Sequence, residues 1–426
     1  MHYDVVIVGG GAGGLELAAQ LGRKLGAREG RERVLLVDRM PFHIWKPTLH
    51  EVAAGTLDAH QEGLSYTVLA RRNHFSFAMG EFRELDAAAQ SIRLAAIVND
   101  AGKPVVPERT IHYRHLVLAL GSGSNSFGTP GIENAYLLES VRDAQRFHAD
   151  WLSACAHASY AEPRVLAIAI VGAGATGVEL SAELVEAHSM LQASQGSNQR
   201  FRLDISLIEG GERIFGGLPP PISEQATVAL ERKGVRVMTG TRVQALHAGE
   251  VLTPTGTVRA DLIVWAAGIK ASEHNAQLGL DVNRIHQFVV DDHLRTSAPH
   301  IFALGDCAAT PWVDGKTVPA RAQAAHQQAT YLAKLLHASL SERSYDEAFQ
   351  YKDFGSLVSL GDNKGVGNLM GSLSGKNFFV QGLLAKWMYM SLHLMHHRAI
   401  LGTGKTAVLA LARLLQQRVS GRMKLH

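Results

Sequence analysis

Cysteine is almost missing from this 426-residue chain: there are two, Cys155 and Cys307. They are too few for a disulfide scaffold and are not spaced as a C-x-x-C pair or a zinc cluster, so a reducing compartment is expected. Long apolar runs are missing too. No 18 consecutive residues are apolar, which leaves no segment that reads as a transmembrane helix. The first apolar run, Val5 to Val8, passes straight into glycines without a cationic start or a cleavage site, so no targeting peptide is expected. Charged residues make up 19% of the chain against 46% hydrophobic, a balance that excludes disorder and suits two or three globular domains. Acid is missing from one region only. Lys376 to His426 hold eight Lys or Arg and no Asp or Glu, whereas the residues before them hold 34 basic and 39 acidic groups. Such a tail favours an anionic surface, lipid or nucleic acid, over a mostly acidic body.

Glycine is plentiful, and its placement carries the chemistry. Val5 to Val8 read as a strand running into Gly9, Gly11 and Gly14, a G-x-G-x-x-G turn opening a helix, and Val34 to Val37 form the next strand, ending in Asp38. The first glycine makes the tight turn, the second admits a pyrophosphate, the third packs helix on strand, and the acid meets ribose hydroxyls. The same plan returns 163 positions later: Val165 to Val171 lead into Gly172, Gly174 and Gly177, and Asp204 to Ile208 end in Glu209. That offset is too long for a solenoid repeat, so two whole nucleotide-binding domains are expected. The stretch Ala187 to Arg200, rich in Gln, Ser and Asn, reads as a loop inserted in the second. An acid at Glu209 favours NADH over NADPH, although Arg213 lies nearby. Further apolar strands precede Gly121, Gly268 and Gly305.

The segment Ile301-Phe-Ala-Leu-Gly-Asp-Cys-Ala, added to both turns, makes the chain resemble the two-dinucleotide-binding flavoproteins. In that family the first turn takes FAD, the second takes a nicotinamide nucleotide, and the Asp of the Gly305-Asp306 pair bonds the ribityl chain. No C-x4-C pair follows Gly14, which excludes dithiol relay chemistry; Cys307 reads as a small buried residue. The resemblance sharpens to the bacterial type II NADH dehydrogenases, single-subunit NADH:quinone oxidoreductases that do not pump protons. It rests on Leu36-Val-Asp-Arg, Ile44-Trp-Lys-Pro-Thr-Leu-His-Glu-Val-Ala, Leu118-Ala-Leu-Gly-Ser, Ala173-Gly-Ala-Thr-Gly-Val-Glu-Leu, Val264-Trp-Ala-Ala-Gly-Ile-Lys and Ala322-Gln-Ala-Ala-His-Gln. The resemblance implies non-covalent FAD beside Asp38, Arg39, Lys46, Ala119, Gly121, Gly305, Asp306, Ala322 and Gln323, and NADH beside Gly172, Gly174, Gly177, Glu179, Glu209, Ala267 and Gly268. It gives Gln323 and Gln327 as neighbours of the quinone headgroup, Glu179 a part in hydride or proton handling, and Lys46 a place near the flavin. Without the family, paired Gln at i and i+4 mark a solvated helix face, Glu179 an acid favoured by a helix dipole, and Lys46 a surface cation beside a core Trp.

The expected fold is α/β: an FAD domain of residues 1–147 and 285–345, an NADH domain of 148–284 inserted in it, both Rossmann-like, and a C-terminal region of 346–426. In that region Phe378 to Met395 and Thr406 to Val419 read as amphipathic helices for a membrane surface, with Arg413 and Arg418 off the apolar stripe. Packing on the protein's own core or against a second copy is the other use of such a face. Leu401-Gly-Thr-Gly-Lys-Thr resembles a phosphate loop but has Ala399 where its first glycine belongs. His393, His396 and His397 share a helical turn; histidines near headgroups are expected there, with no metal. The function implied is two-electron transfer from NADH through FAD to a membrane quinone, at the cytoplasmic face of a bacterial inner membrane, without pumping or nucleic-acid binding. A soluble NADH oxidase or ferredoxin reductase, and a redox-controlled FAD- and NADH-binding signalling protein, are the alternatives.

Overall fold

A computed structural model describes residues 1–99, 101–360, 365–370, 377–381 and 393–419. Val5 to Val8 lie at the centre of a sheet and are buried on both of its faces, which is why they form an unbroken apolar run instead of an alternating one. Strand His2–Val8 pairs in parallel with Val34–Asp38 on one side and Arg109–Leu118 on the other. Ser76–Met79 extends the sheet beyond Val34–Asp38. Ser91–Leu94 and Phe82–Asp86 extend it antiparallel on the far side. Much later in the chain, Ile301–Ala303 returns to pair alongside Leu116 to Leu118. That return makes the intervening chain an insertion.

The insertion is built on five parallel strands in the order Tyr136–Leu137, Leu262–Trp265, Val165–Val171, Arg202–Ile208 and Arg236–Met238. Tyr136–Leu137 already belongs to this sheet, and helix Val141–Tyr160 starts at a capping box of Ser140 and Asp143. A division at 147/148 would cut that helix, so the pairing moves it back to between Leu118 and Tyr136. The two crossings between sheets are bound to each other, Gly123–Ser124 against Ile269–Lys270.

Two expectations fail locally. Residues 187–194 are not a loop but the last turns of helix Ala175–Ser194, because Val185, Ala187 and Leu191 continue its contact with the apolar core. Phe378 to Gln381 are not helical: they lie in strand Asn377–Gln381 of a three-stranded antiparallel sheet with Gly365–Met370 and Ser356–Ser359, where a short run of β-favouring Phe and Val suits a strand. Residues 382–392, the middle of that tail segment, lie outside the described residues. Beyond them, helix 393–401 buries His396, His397 and Ile400. Helix Thr403–Val419 turns Val408, Leu411 and Leu415 outward, each more than half exposed; the side chains of Arg413, Arg418 and Val419 lie outside the described residues. Among the described residues no helix is long and apolar enough to cross a membrane.

Candidate active site

The first glycine turn sits where strand His2–Val8 ends. Gly9 donates its N–H to the Val37 carbonyl at 2.8 Å and has φ 104°, and a Cβ there would stand 2.2 Å from the Ala119 carbonyl oxygen. No other residue fits. A Cβ on Gly14 would lie 2.0 Å from the Gly9 oxygen, so helix Ala12–Leu25 rests directly on the turn. Gly11 is the contrast: a Cβ there meets no atom within 4 Å, and no side chain caps the helix it opens. The turn thus presents an open cleft and first-turn N–H groups to an anion. At its edge the Asp38 carboxylate accepts the N–H of Gly10 at 2.6 Å and of Met40 at 2.8 Å, while burial pushes the carboxyl's pKa up. Arg39 beside it is exposed. These parts fit a dinucleotide.

Four separate segments close on the far end of this cleft. Lys46 donates its ammonium to the Ser122 carbonyl at 2.6 Å, and the Ser122 hydroxyl donates to Asp306 at 2.9 Å. Gly121 and Gly305 both take left-handed backbone, φ 71° and 72°. Gly305 N–H is held by the buried Gln328 amide at 2.7 Å, and Gln328 in turn donates to Thr310 at 2.9 Å. Ala119, at the end of the central neighbouring strand, is buried. So is Cys307, whose thiol burial pushes up to about 11, leaving it inert at neutral pH.

The second turn repeats the first. Gly172 has φ 102°, donates to the Ile208 carbonyl at 2.7 Å, and a Cβ on it would come within 2.6 Å of the Ala267 backbone, next to Gly268. Gly177 rests on the Gly172 oxygen, and Gly174 faces open space. The Glu209 carboxylate accepts the N–H of Ala173 and of Gly211, each at 2.8 Å. Arg213 does not reach toward it; its guanidinium is spent on the carbonyls of Gly216 and Leu218. The acid therefore governs this edge.

Between the turns, helix Leu49–Ala54 packs on helices Val141–Tyr160 and Ala175–Ser194. Here Glu179 is buried with its carboxylate 3.5 Å from His50 Nδ1, and Thr56 donates to Glu183 at 2.9 Å. Glu179 is the fifth residue of its helix, past the first turn, so the interface and not the helix dipole accounts for it. Burial lowers the His50 imidazole to about 4, which keeps it neutral at physiological pH.

Gln323 and Gln327 lie on one half-buried face of helix Ala322–Leu340, and both amides are engaged. Gln327 holds both the N–H and the carbonyl of Lys352, at 3.0 and 2.9 Å. Gln323 accepts from Phe354 N–H at 3.2 Å and donates to the Gly355 carbonyl at 2.8 Å, beside an Arg321–Asp353 ion pair. The two amides pin residues 352–355 to the helix.

Sequence reasoning missed Gln328, His50 and the residues gathered around His396, which are the buried Glu16 and His43 and the partly exposed His326. His396, expected near headgroups, is instead buried, with Glu16 and His43 on its two ring nitrogens. One signal was present: Glu16 stands two residues after Gly14 just as Glu179 stands two after Gly177. Among the described residues no group of His, Cys, Asp and Glu is arranged to hold a metal ion.

Residues 3–329 match the family model described as pyridine nucleotide-disulphide oxidoreductase. A type II NADH:quinone oxidoreductase of Haemophilus influenzae is 40% identical, over 99% of this chain and 100% of that protein. One of Staphylococcus aureus is 28% identical over 87% of this chain and 91% of its own length. Among solved structures, NDH2 from Plasmodium falciparum in complex with NADH has the same fold, with a TM-score of 0.82 at 18% identity over 99% of both chains.

Proposed function

The chain belongs to the pyridine nucleotide-disulphide oxidoreductase family, as a type II NADH:quinone oxidoreductase, and from that premise we propose how its residues divide the work. The reaction carries two electrons from NADH to a quinone with FAD as the resident carrier. The soluble-oxidase, ferredoxin-reductase and signalling alternatives are not favoured. One observation supports the assignment of residues above others: two glycine turns, each with its own carboxylate on the corresponding N–H, provide two dinucleotide sites in one chain.

In this reading FAD lies on the first turn and NADH on the second. When bound, FAD supplies a centre that takes a hydride from one side and passes two electrons to an acceptor on the other. The residues supply orientation. Gly11 and the start of helix Ala12–Leu25 receive the pyrophosphate, Asp38 the ribose, and Asp306 the ribityl hydroxyls. Lys46, fixed on Ser122 beside Asp306, places a cation where negative charge accumulates on reduction. Glu179, buried in the interface 3.5 Å from His50, is assigned the acid–base part near the nicotinamide. Gln323 and Gln327 shape the quinone's wall by holding residues 352–355.

The quinone is taken to be a membrane quinone, reached by a protein seated peripherally on the cytoplasmic face of a bacterial inner membrane. The acid-free tail and the outward Val408, Leu411 and Leu415 support that seat. NADH-dependent reduction of a short-chain quinone by the purified chain, with flotation on anionic liposomes, tests both parts. Leu411→Glu with Leu415→Glu is expected to abolish flotation and spare turnover with the soluble quinone. Retained flotation overturns the seat, a change of mass from dimer to monomer assigns the face to a second copy, and absent quinone turnover in the unaltered chain overturns the residue assignment.

A further inference from the structure

The peptide of Gly10, inside the first turn, is gripped on both faces. Its N–H goes to Asp38, while its carbonyl accepts from the Tyr66 hydroxyl at 2.7 Å and from His43 Nδ1 at 2.9 Å. His43 is continued by His396, Nε2 to Nε2 at 2.9 Å, and His396 Nδ1 reaches Glu16 at 2.7 Å. The other oxygen of Glu16 takes His326 Nδ1 at 2.5 Å. Glu16, His43 and His396 are all at least 96% buried, and only His326, a third exposed, meets solvent. Trp45 stacks against His393 and tilts over His396, with ring centroids 5.8 and 4.4 Å apart. Helix 393–401 is fastened at its other end too: Arg23 donates to the Ala399 carbonyl at 2.7 Å and Asn73 to that of Ile400 at 2.9 Å.

Hydrogen-bond polarity fixes the protons in this chain. A carbonyl only accepts, so His43 Nδ1 carries a hydrogen. Burial keeps His43 from carrying a second one, its pKa lying well below the ordinary value, so its Nε2 accepts. His396 then donates from Nε2 to His43, and its Nδ1 lies on the Glu16 carboxylate, whose pKa its two histidine partners hold below the usual range although burial alone would raise it. A side chain at 396 without that N–H would leave His43 Nε2 unpaired inside the protein and take away the partner that aims its Nδ1 at Gly10.

We infer that helix 393–401 is a clasp on the cofactor: through His396 and His43 it holds the Gly10 carbonyl in place and so sets how firmly the first turn retains FAD. The inference rests on the reading that FAD occupies that turn. Gly10 itself contacts the ligand's cradle; His43 and His396 are positioning residues acting through it.

The test is the rate at which the FAD-loaded, full-length protein releases flavin at neutral pH, followed by fluorescence. His43→Leu and His396→Leu remove the donor and are expected to release FAD roughly five- to tenfold faster, the worth of one buried hydrogen bond. His43→Asn keeps an amide N–H where Nδ1 stood, and His396→Gln keeps one where Nε2 stood; both are expected to retain FAD within about twofold. Should the leucine variants fail to fold, His43→Gln, whose amide N–H falls beyond the Nδ1 position, takes their place with the same expectation. Leucine variants that hold FAD normally, or amide variants as leaky as the leucine ones, would each overturn the clasp. An unaltered chain that takes up no FAD, judged by its colour before any release is measured, overturns the reading beneath it.

Discussion

The turns at Gly9 and Gly172 use the same parts in the same order: a left-handed first glycine, an open second one, a third pressed on the first, and a carboxylate on the next N–H. They differ in how the carbonyl of the following residue is closed. In the second turn the Ala173 oxygen accepts from the backbone N–H of Phe215, six residues past Glu209. In the first, the Gly10 oxygen accepts from two side chains, one of which leads to a helix nearly 400 residues away in the chain. Gly10 cannot even be Ala, since a Cβ would stand 2.4 Å from the Tyr66 hydroxyl oxygen. A backbone cap is local, whereas the histidine cap ties the turn to a remote segment of the chain. That contrast suits a site that keeps its cofactor through many turnovers against one that must exchange its nucleotide in each.

The largest effects come from removing the shared part. Gly9→Ala forces a collision with Ala119 at a φ an L-residue avoids, and the protein is expected to purify without flavin. Gly172→Ala is expected to keep its yellow colour and to raise the KM for NADH on the order of a hundredfold; flavin loss from both variants alike would break the assignment of one ligand to each turn. Next is acid sensitivity at the interface. The buried His50 has its folded value lowered from 6.5 to about 4, so the unfolded chain takes up the proton first. Its contribution to stability is therefore complete above about pH 6.5 and is lost as pH falls toward 4, roughly 3 kcal/mol in all. Denaturant unfolding of His50→Gln should show a pH dependence flatter by that amount, and an unchanged slope would mean that His50 does not face the interface as described. Smaller still, Glu209→Ala is expected to cost about tenfold in the preference for NADH over NADPH, because Arg213 is already engaged. Steady-state kinetics with both nucleotides checks this, and a preference that does not change would remove Glu209 from the ribose edge. The smallest is Cys307→Ser, at about 1 kcal/mol of stability with no change in turnover, read by thermal unfolding and a quinone assay; loss of activity would make the thiol more than packing.

The glycine turns, their strands and their acids were legible because each is a local pattern with one physical cause, and Val165 to Val171 form the expected strand end to end. The Gly305-Asp306 return was legible only through the resemblance, because nothing near Ile301 states that it pairs with Leu116. Ala187 to Arg200 misled through composition: Ser and Gln favour loops weakly, and packing against the core overrode them as far as Ser194. The first part of the tail misled through apolar density, since a short segment rich in Phe and Val, such as Phe378 to Gln381, suits a strand as well as a helix. The Glu16, His326, His396 and His43 chain was beyond reach because its links are 310, 380 and 353 positions apart, and its histidines look like surface residues until the fold buries them.

In the proposed reading two occupied turns pass electrons in one direction, from a nucleotide on the second to a flavin on the first and on to a quinone. An anaerobic titration of the FAD-loaded protein reads it directly. One equivalent of NADH is expected to bleach the flavin, and one equivalent of a short-chain quinone to restore its colour. Flavin that NADH leaves yellow, or that stays bleached when quinone is added, would contradict it.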